Sequence, residues 1–144
     1  MMYDHDFDAI MSESRIFKAD VKELDNLFEY SSKLLNQLDF SSRDVIMINT
    51  ALEEIFVNVA HYAYDNEWTV EITLSRVANN VTFVFKDSGK PFNPLERKDP
   101  NITASSDERE IGGLGIYMVK KIMDEVHYEY TNSQNVLTLI KYKK

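Results

Sequence analysis

The sequence of 144 residues is long enough for one folded domain and leaves little room for a second. Hydrophobic residues make up 44% of the chain, which excludes a disordered composition, and the absence of cysteine excludes disulfides and thiolate metal sites. The formal net charge of -8 argues against a nucleic-acid partner, because phosphate binding requires clustered lysine and arginine.

The N-terminal half predicts one short strand and two helices. Residues 1–11 are expected to be loose. With no signal-peptide pattern and no run of about 20 apolar residues, we expect a cytoplasmic protein without membrane association. Weak alternation predicts an edge strand over Ser14–Lys18. Apolar residues at helical spacing predict a first helix over Ala19–Leu38 and a second that starts after the N-cap Ser41 and ends near Asn66.

A β-hairpin and a long loop follow. Alternating apolar residues predict two strands, around Ile72 and around Phe83, with a turn at residues 78–80 between them. The stretch from Gly89 to Gly112 contains all three prolines and has no periodicity. A loop of this length is typical of a functional lid or of disorder.

The chain then predicts a third helix over Tyr117–Val126 and two final strands, about 127–130 and 136–141. The order of elements is β-α-α-β-β-loop-α-β-β. It favours an α+β fold, a two-layer α/β sandwich in which about three helices cover one face of a mostly antiparallel sheet. We expect one domain over residues 1–144.

The glycines fall in only two places. Gly89 follows the second strand of the hairpin, and the other three, Gly112, Gly113 and Gly115, precede the third helix. A glycine-rich turn that leads into a helix presents free N–H groups and the positive end of the helix dipole, which favours bound phosphate. The pattern is neither a Walker loop nor a Rossmann fingerprint. It equally allows a simple loop end with a glycine used for helix packing.

Asp87 ends the hairpin two residues before Gly89. A carboxylate at the rim of a sheet can accept a hydrogen bond from an exocyclic amine such as that of adenine. The alternative is an ordinary surface turn, since aspartate, serine, glycine and proline all favour turns.

Glu54 and Asn58 lie one turn apart on the second helix and therefore share a face. An amide oxygen suits Mg²⁺, and a neighbouring carboxylate can deprotonate a nucleophile. The alternative is that these are exposed polar positions, an interpretation that we adopt for Glu53. Asn58 fits that alternative less well, because asparagine is a poor residue inside a helix.

Together these elements resemble the Bergerat-type ATP-binding fold of gyrase, histidine kinases and mismatch-repair ATPases, and most closely the bacterial anti-sigma-factor serine/threonine kinases. The resemblance covers roughly Lys18 to Tyr142. Its motifs are Glu54-x-x-x-Asn58-x-x-x-Tyr62-Ala63-Tyr64, Asp87-x-Gly89-x-Pro91-Phe92-x-Pro94 and Gly112-Gly113-Leu114-Gly115-Ile116-x-x-Val119-x-x-x-Met123-Asp124.

The resemblance implies a role for each matching residue. Glu54 would be the catalytic base and Asn58 the Mg²⁺ ligand, while Asp87 would bind adenine. The remaining implied nucleotide contacts are Gly89, Arg109 of an ATP lid over 95–111, Gly112, Gly113, Leu114, Gly115 and Thr138.

The function that the resemblance implies is a serine/threonine kinase and anti-sigma factor that uses ATP and Mg²⁺. Its substrate would be a serine of a STAS-type anti-anti-sigma protein, and a sigma factor would be a further partner. The sequence leaves three alternatives open: an ATP-gated, sigma-sequestering module without phosphotransfer, the catalytic half of a histidine kinase, and a domain that binds no nucleotide. The apolar side of the first helix would suit a homodimer, a sigma factor or the domain's own core.

Overall fold

The computed structural model describes residues 11–61, 68–96 and 113–143. A single antiparallel sheet of five strands runs through it in the order β1-β2-β3-β5-β4. The strands are β1 Met11–Lys18, β2 Thr69–Val77, β3 Asn80–Asp87, β4 Glu125–Thr131 and β5 Gln134–Lys141. The helices are α1 Leu24–Gln37, α2 Ser42–His61 and α3 Gly113–Ile122. The predicted α+β fold is confirmed.

The helices lie against one face of the sheet because both layers carry an apolar face. Leu27 and Leu35 of α1, and Leu52 and Phe56 of α2, are fully buried. In the sheet the buried residues alternate with partly exposed ones, as a sheet with one covered face requires. These core-facing residues are Val70, Ile72, Leu74, Val81, Phe83, Phe85, Asn135, Leu137 and Leu139.

Local chemistry sets the starts of α1 and α2. The side chain of Asp20 accepts a hydrogen bond from the Lys22 N–H at 3.0 Å and caps a 3-10 turn, Val21–Glu23, that leads into α1. Part of the predicted first helix is therefore this separate turn. Ser41 accepts a hydrogen bond from the Asp44 N–H at 3.1 Å, which confirms the predicted N-cap of α2.

The predicted hairpin forms, and the two final strands form a second one. The β2–β3 connection passes through Ala78 in the left-handed region at φ 54°, and the β4–β5 connection passes through Asn132 and Ser133 at 54° and 61°. Two successive residues with positive φ are typical of the tight turns that match the twist of antiparallel strands.

Several predicted boundaries were wrong, among them the starts of β4 and β5, which lie two residues before the predicted positions. β1 begins at Met11 and not at Ser14. The third helix begins and ends four residues earlier than predicted, because Asp124 N–H already donates to the Ile140 carbonyl and Val126 pairs with Leu139 in the sheet. The apolar residue Val126 fits the helical spacing of α3 but belongs to β4, which begins only three residues after α3 ends.

Two further predictions concern segments at the limits of the structure. The first two residues of the predicted lid, 95–96, belong to the 3-10 turn Pro94–Glu96, in which Pro94 is buried and Leu95 packs on the core. The lid from residue 97 onwards and the predicted loose stretch 1–10 lie outside the described residues. Of the helices in the described ranges, none has both the length and the hydrophobicity to cross a bilayer.

Candidate nucleotide site

Helix α2 brings two predicted site residues to the edge of the core. The buried side of α2, which includes Ile55, faces the core. Glu54 and Asn58 lie at the edge of this side and are partly buried. Glu53 is exposed, as predicted. The Asn58 amide has no hydrogen-bond partner within the described ranges, and it lines a cavity together with Ile55 and Val59.

The carboxylate of Glu54 packs on α3 at Gly115. A Cβ added to Gly115 would lie 2.0 Å from both Cδ and Oε1 of Glu54, so only glycine leaves room for this carboxylate. Burial raises the pKa of Glu54, and the negative charge of Glu53 raises it further. Two of the predicted motifs are therefore in direct contact.

Asp87 ends β3 and closes one side of the cavity. Its Oδ1 accepts two hydrogen bonds, from the Gly89 N–H at 2.9 Å and from the Asn135 amide at 3.0 Å. None of the described residues donates to Oδ2. The carboxylate therefore keeps one oxygen available to a ligand in the cavity.

Trp68 packs against Gly89 and was not singled out from the sequence. A Cβ at Gly89 would lie 2.8 Å from Cζ2 of Trp68 and 2.9 Å from Oδ1 of Asp87. Glycine is required here because the backbone passes between an indole ring and a carboxylate. Trp68 is the only tryptophan of the chain, and its position directly before β2 offered no recognisable signal.

The cavity itself has a volume of about 240 Å³ and mainly apolar walls. Aromatic and aliphatic side chains surround the few polar groups, which is the usual composition of a site for a small organic ligand. The lining residues are Ile55, Asn58, Val59, Trp68, Phe85, Asp87, Gly89, Lys90, Pro91, Phe92, Pro94, Tyr128, Asn135 and Leu137.

Thr138 does not belong to this cavity. Asn135, Leu137 and Leu139 of β5 face the helices, so Thr138 lies on the opposite face of the sheet, paired with Val84 and His127. The expectation that Thr138 supports the base was therefore wrong. Strand alternation places its side chain away from the helix-covered face.

Asn135 is the residue of β5 that reaches Asp87, and sequence reasoning missed it. It is 7% exposed and pairs with Asp87 across the sheet. A usable signal existed, because asparagine is depleted in strands and one near a strand end adjoining a site requires an explanation.

The other predicted residues lie near the start of α3. Gly113 and Leu114 begin the helix, directly before Gly115. Arg109 and Gly112 lie outside the described residues. The structure thus brings Glu54, Asn58, Asp87, Gly89 and the start of α3 to one side of the domain.

This geometry agrees with the comparison with known proteins. A family model described as "Histidine kinase-like ATPase domain" matches residues 17–141. The chain belongs to the histidine kinase-like ATPase domain family. The match runs from the end of β1 to the end of β5, so all the described site residues of this ATPase-like domain fall within it.

The chain is similar to several curated members with regulatory names. The anti-sigma F factor of Caldanaerobacter subterraneus subsp. tengcongensis is 28% identical over 102 residues, which are 70% of this chain and 71% of that protein. The serine-protein kinase RsbW of Bacillus licheniformis is 25% identical over 113 residues, 73% of this chain and 70% of the kinase.

A solved structure shows the same fold. The crystal structure of the RsbU and RsbW domains of Rv1364c from Mycobacterium tuberculosis aligns with a TM-score of 0.65 and 12% identity. The alignment covers 92% of this chain and 32% of that one. At this identity the likeness shows the fold alone.

Proposed function

We propose that this domain binds Mg-ATP and transfers the terminal phosphate to a serine or threonine of a protein, acting as an anti-sigma factor. The observation that carries the proposal is the packing of Glu54 on Gly115. Glu54 lies one turn of α2 before Asn58, which lines the cavity. The contact places the candidate base, Glu54, beside the first turn of α3, the helix that begins at Gly113. The curated relatives named anti-sigma F factor and serine-protein kinase RsbW support the same assignment.

The cavity suits an adenine base. Its walls are mainly apolar, and Oδ2 of Asp87, to which no described residue donates, can accept one hydrogen bond from an exocyclic amine. The phosphates would then lie toward the start of α3, where Gly113, Leu114 and Gly115 provide backbone N–H groups and the positive end of the helix dipole. Gly112 and Arg109 remain proposed phosphate contacts.

The donor set also fits Mg²⁺ held jointly by protein and nucleotide. The described residues contain no group of three or more acidic, histidine or cysteine side chains that could hold a metal without help. Mg²⁺ in phosphoryl-transfer sites usually takes only one or two protein oxygens, together with phosphates and waters. The amide oxygen of Asn58 at the cavity wall, which has no partner among the described residues, can supply one of them.

Glu54 is proposed to accept the proton of the substrate hydroxyl. Its pKa is raised by burial, which makes the carboxylate a stronger base than an exposed glutamate. Its contact with Gly115 holds it beside the region where the phosphates would lie. Bound Mg-ATP would supply the electrophilic phosphorus, and the chain would contribute positioning, charge neutralisation and this base.

The proposed substrate is a STAS-type anti-anti-sigma protein, and a sigma factor is the second proposed partner. The name "anti-sigma F factor" of a 28% identical relative supports a regulatory partner of this kind. A homodimer remains a proposal as well. Since α1 already buries Leu27 and Leu35 in the domain's own core, a dimer would have to use other side chains.

The proposal is tested with ATP and STAS-type proteins encoded by the same genome. Nucleotide binding is measured by the fluorescence of Trp68, and added phosphate by mass spectrometry. We expect Glu54→Ala to bind ATP but to lose transfer by roughly 100-fold or more. Asp87→Asn should lose binding by roughly 10-fold or more, since a hydrogen bond to a charged group is lost. The matched control is Glu53→Ala, an exposed neighbour on the same helix.

Two results would contradict the proposal. If ATP binds but no STAS-type protein gains a phosphate, and the domain only captures a partner in the presence of ATP, it is a binding module without transfer. If Glu54→Ala transfers phosphate at the wild-type rate, Glu54 is not the base.

A further inference from the structure

The amide of Asn135 is the centre of a hydrogen-bond network in the wall of the cavity. Its Nδ2 donates to Oδ1 of Asp87 at 3.0 Å and to the carbonyl of Lys90 at 2.9 Å. Its Oδ1 accepts from the Phe92 N–H at 3.0 Å and from the Tyr128 hydroxyl. An asparagine side chain can make four such bonds, and all four are made here by a residue that is 7% exposed.

This network fixes one half of the Asp87 carboxylate. Each carboxylate oxygen offers about two acceptor directions. At Oδ1 these are filled by Asn135 and by the Gly89 N–H. Only Oδ2 can therefore accept hydrogen bonds from a ligand, and the carboxylate cannot rotate without breaking both internal bonds.

A carboxylate with one usable oxygen distinguishes the two purines. Adenine presents a single exocyclic amine toward the carboxylate, and one of its N–H groups can make a straight hydrogen bond to Oδ2. Guanine presents N1–H and the N2 amine side by side, a pair of donors that matches both oxygens of a free carboxylate. With Oδ1 already filled, guanine would have to share Oδ2 between its two donors in bent hydrogen bonds inside an apolar cavity, and poorly made buried hydrogen bonds are costly.

We propose that Asn135 is a positioning residue that makes the site selective for adenine over guanine nucleotides, by occupying Oδ1 of Asp87. The inference rests on the proposed nucleotide-binding function and deepens it. It assigns base selectivity to a residue that need not touch the base, and it predicts that selectivity and affinity change separately when Asn135 is replaced.

The test compares ADP with GDP, using the fluorescence of Trp68 at the cavity wall to obtain both dissociation constants. In Asn135→Leu, which removes the amide at similar size, we expect the preference for ADP over GDP to fall by roughly 3- to 10-fold, the value of one or two hydrogen bonds. The matched control is Gln134→Leu, the same chemical change one residue earlier on the opposite face of β5. It should keep the wild-type preference.

A second variant covers the case in which Asn135→Leu does not fold, as judged by its thermal melt. Asn135→Ser keeps a hydroxyl that is too short to reach both Asp87 and Lys90, and its preference for ADP should fall as well. A purely structural role would weaken ADP and GDP equally. An unchanged ratio in the folded variant therefore overturns the inference. If the wild-type protein binds no adenine nucleotide at all, the proposed function itself fails.

Discussion

The carboxylate of Glu54 fills the place that a Cβ on Gly115 would take, since such a Cβ would come within 2.0 Å of the Glu54 Cδ. The contact joins the middle of α2 to the first turn of α3. It explains why a glycine is needed inside a helix, where glycine costs about 1 kcal/mol relative to alanine. The space that it leaves is filled by the carboxylate that we propose as the base.

Gly115→Ala should disable transfer while leaving the fold largely intact. The new Cβ meets the far end of a flexible side chain, so Glu54 can rotate away. We expect a change in unfolding free energy of at most about 1 kcal/mol, because alanine also favours the helix. Transfer to the protein substrate should fall by roughly 100-fold or more, as for loss of the base.

The double variant Gly115→Ala/Glu54→Ala provides the control. If Gly115→Ala acts by displacing Glu54, the double variant should transfer no more slowly than Glu54→Ala alone. Additive losses would mean that Gly115 contributes independently of Glu54.

Glu54→Gln should stabilise the protein at neutral pH more than at acidic pH. The pKa of Glu54 is raised above its ordinary value of 4.5 in the folded state, first by burial and second by Glu53. The folded state therefore binds the proton more tightly than the unfolded chain, and stability falls as the pH rises from the ordinary value through the raised one. Glutamine does not ionise and therefore avoids this loss of stability. In the wild type the loss is complete at pH values above the raised pKa.

The measurement is the free energy of unfolding of both proteins at about pH 4 and about pH 7. The advantage of Glu54→Gln should be greater at the higher pH. Glu53→Gln removes the neighbouring negative charge, so the stability of this variant should depend less on pH than that of the wild type. A larger advantage at the lower pH would show that the sign is wrong.

Gly89→Ala should damage both stability and nucleotide binding. Its Cβ would lie 2.8 Å from the Trp68 ring and 2.9 Å from Oδ1 of Asp87, and the rigid ring cannot yield as a glutamate can. We expect a loss of about 1–3 kcal/mol in the free energy of unfolding, typical of overpacking. Thermal and denaturant melts measure this loss, and ADP titration measures the change in binding.

The exposed neighbour Ser88 provides the comparison for Gly89. Ser88→Ala should leave the melt and ADP binding unchanged within about 0.5 kcal/mol. If Gly89→Ala behaves in the same way, the turn has room for a side chain and the argument from Trp68 is wrong.

Thr138→Val should leave nucleotide binding unchanged. Thr138 lies on the face of β5 opposite to Leu137 and Asn135, which line the cavity. ADP affinity, measured by Trp68 fluorescence, should equal that of the wild type, with a stability change within about 0.5 kcal/mol. A clear loss of affinity would restore the role that the family resemblance implied for Thr138.

The sequence by itself determined the order of elements, the α+β class and the candidate residues Glu54, Asn58, Asp87 and Gly89. Periodicity reports which side of a helix or strand is apolar, and local turn chemistry reports where the chain reverses. Both signals depend only on neighbouring residues. They became unreliable where the helical spacing of α3 continued into Val126 of β4.

Only the tertiary structure decided which of these residues meet. The contact of Glu54 with Gly115 depends on the packing of α2 on α3. The approach of Asn135, and not Thr138, to Asp87 depends on the pairing of β3 with β5. The contact of Trp68 with Gly89 joins the residue before β2 to the segment after β3. The faces of β5 alternate with every residue, so a small error in register moves a side chain from the cavity to the opposite face. The register follows from the buried surfaces of the whole domain, which no local pattern records.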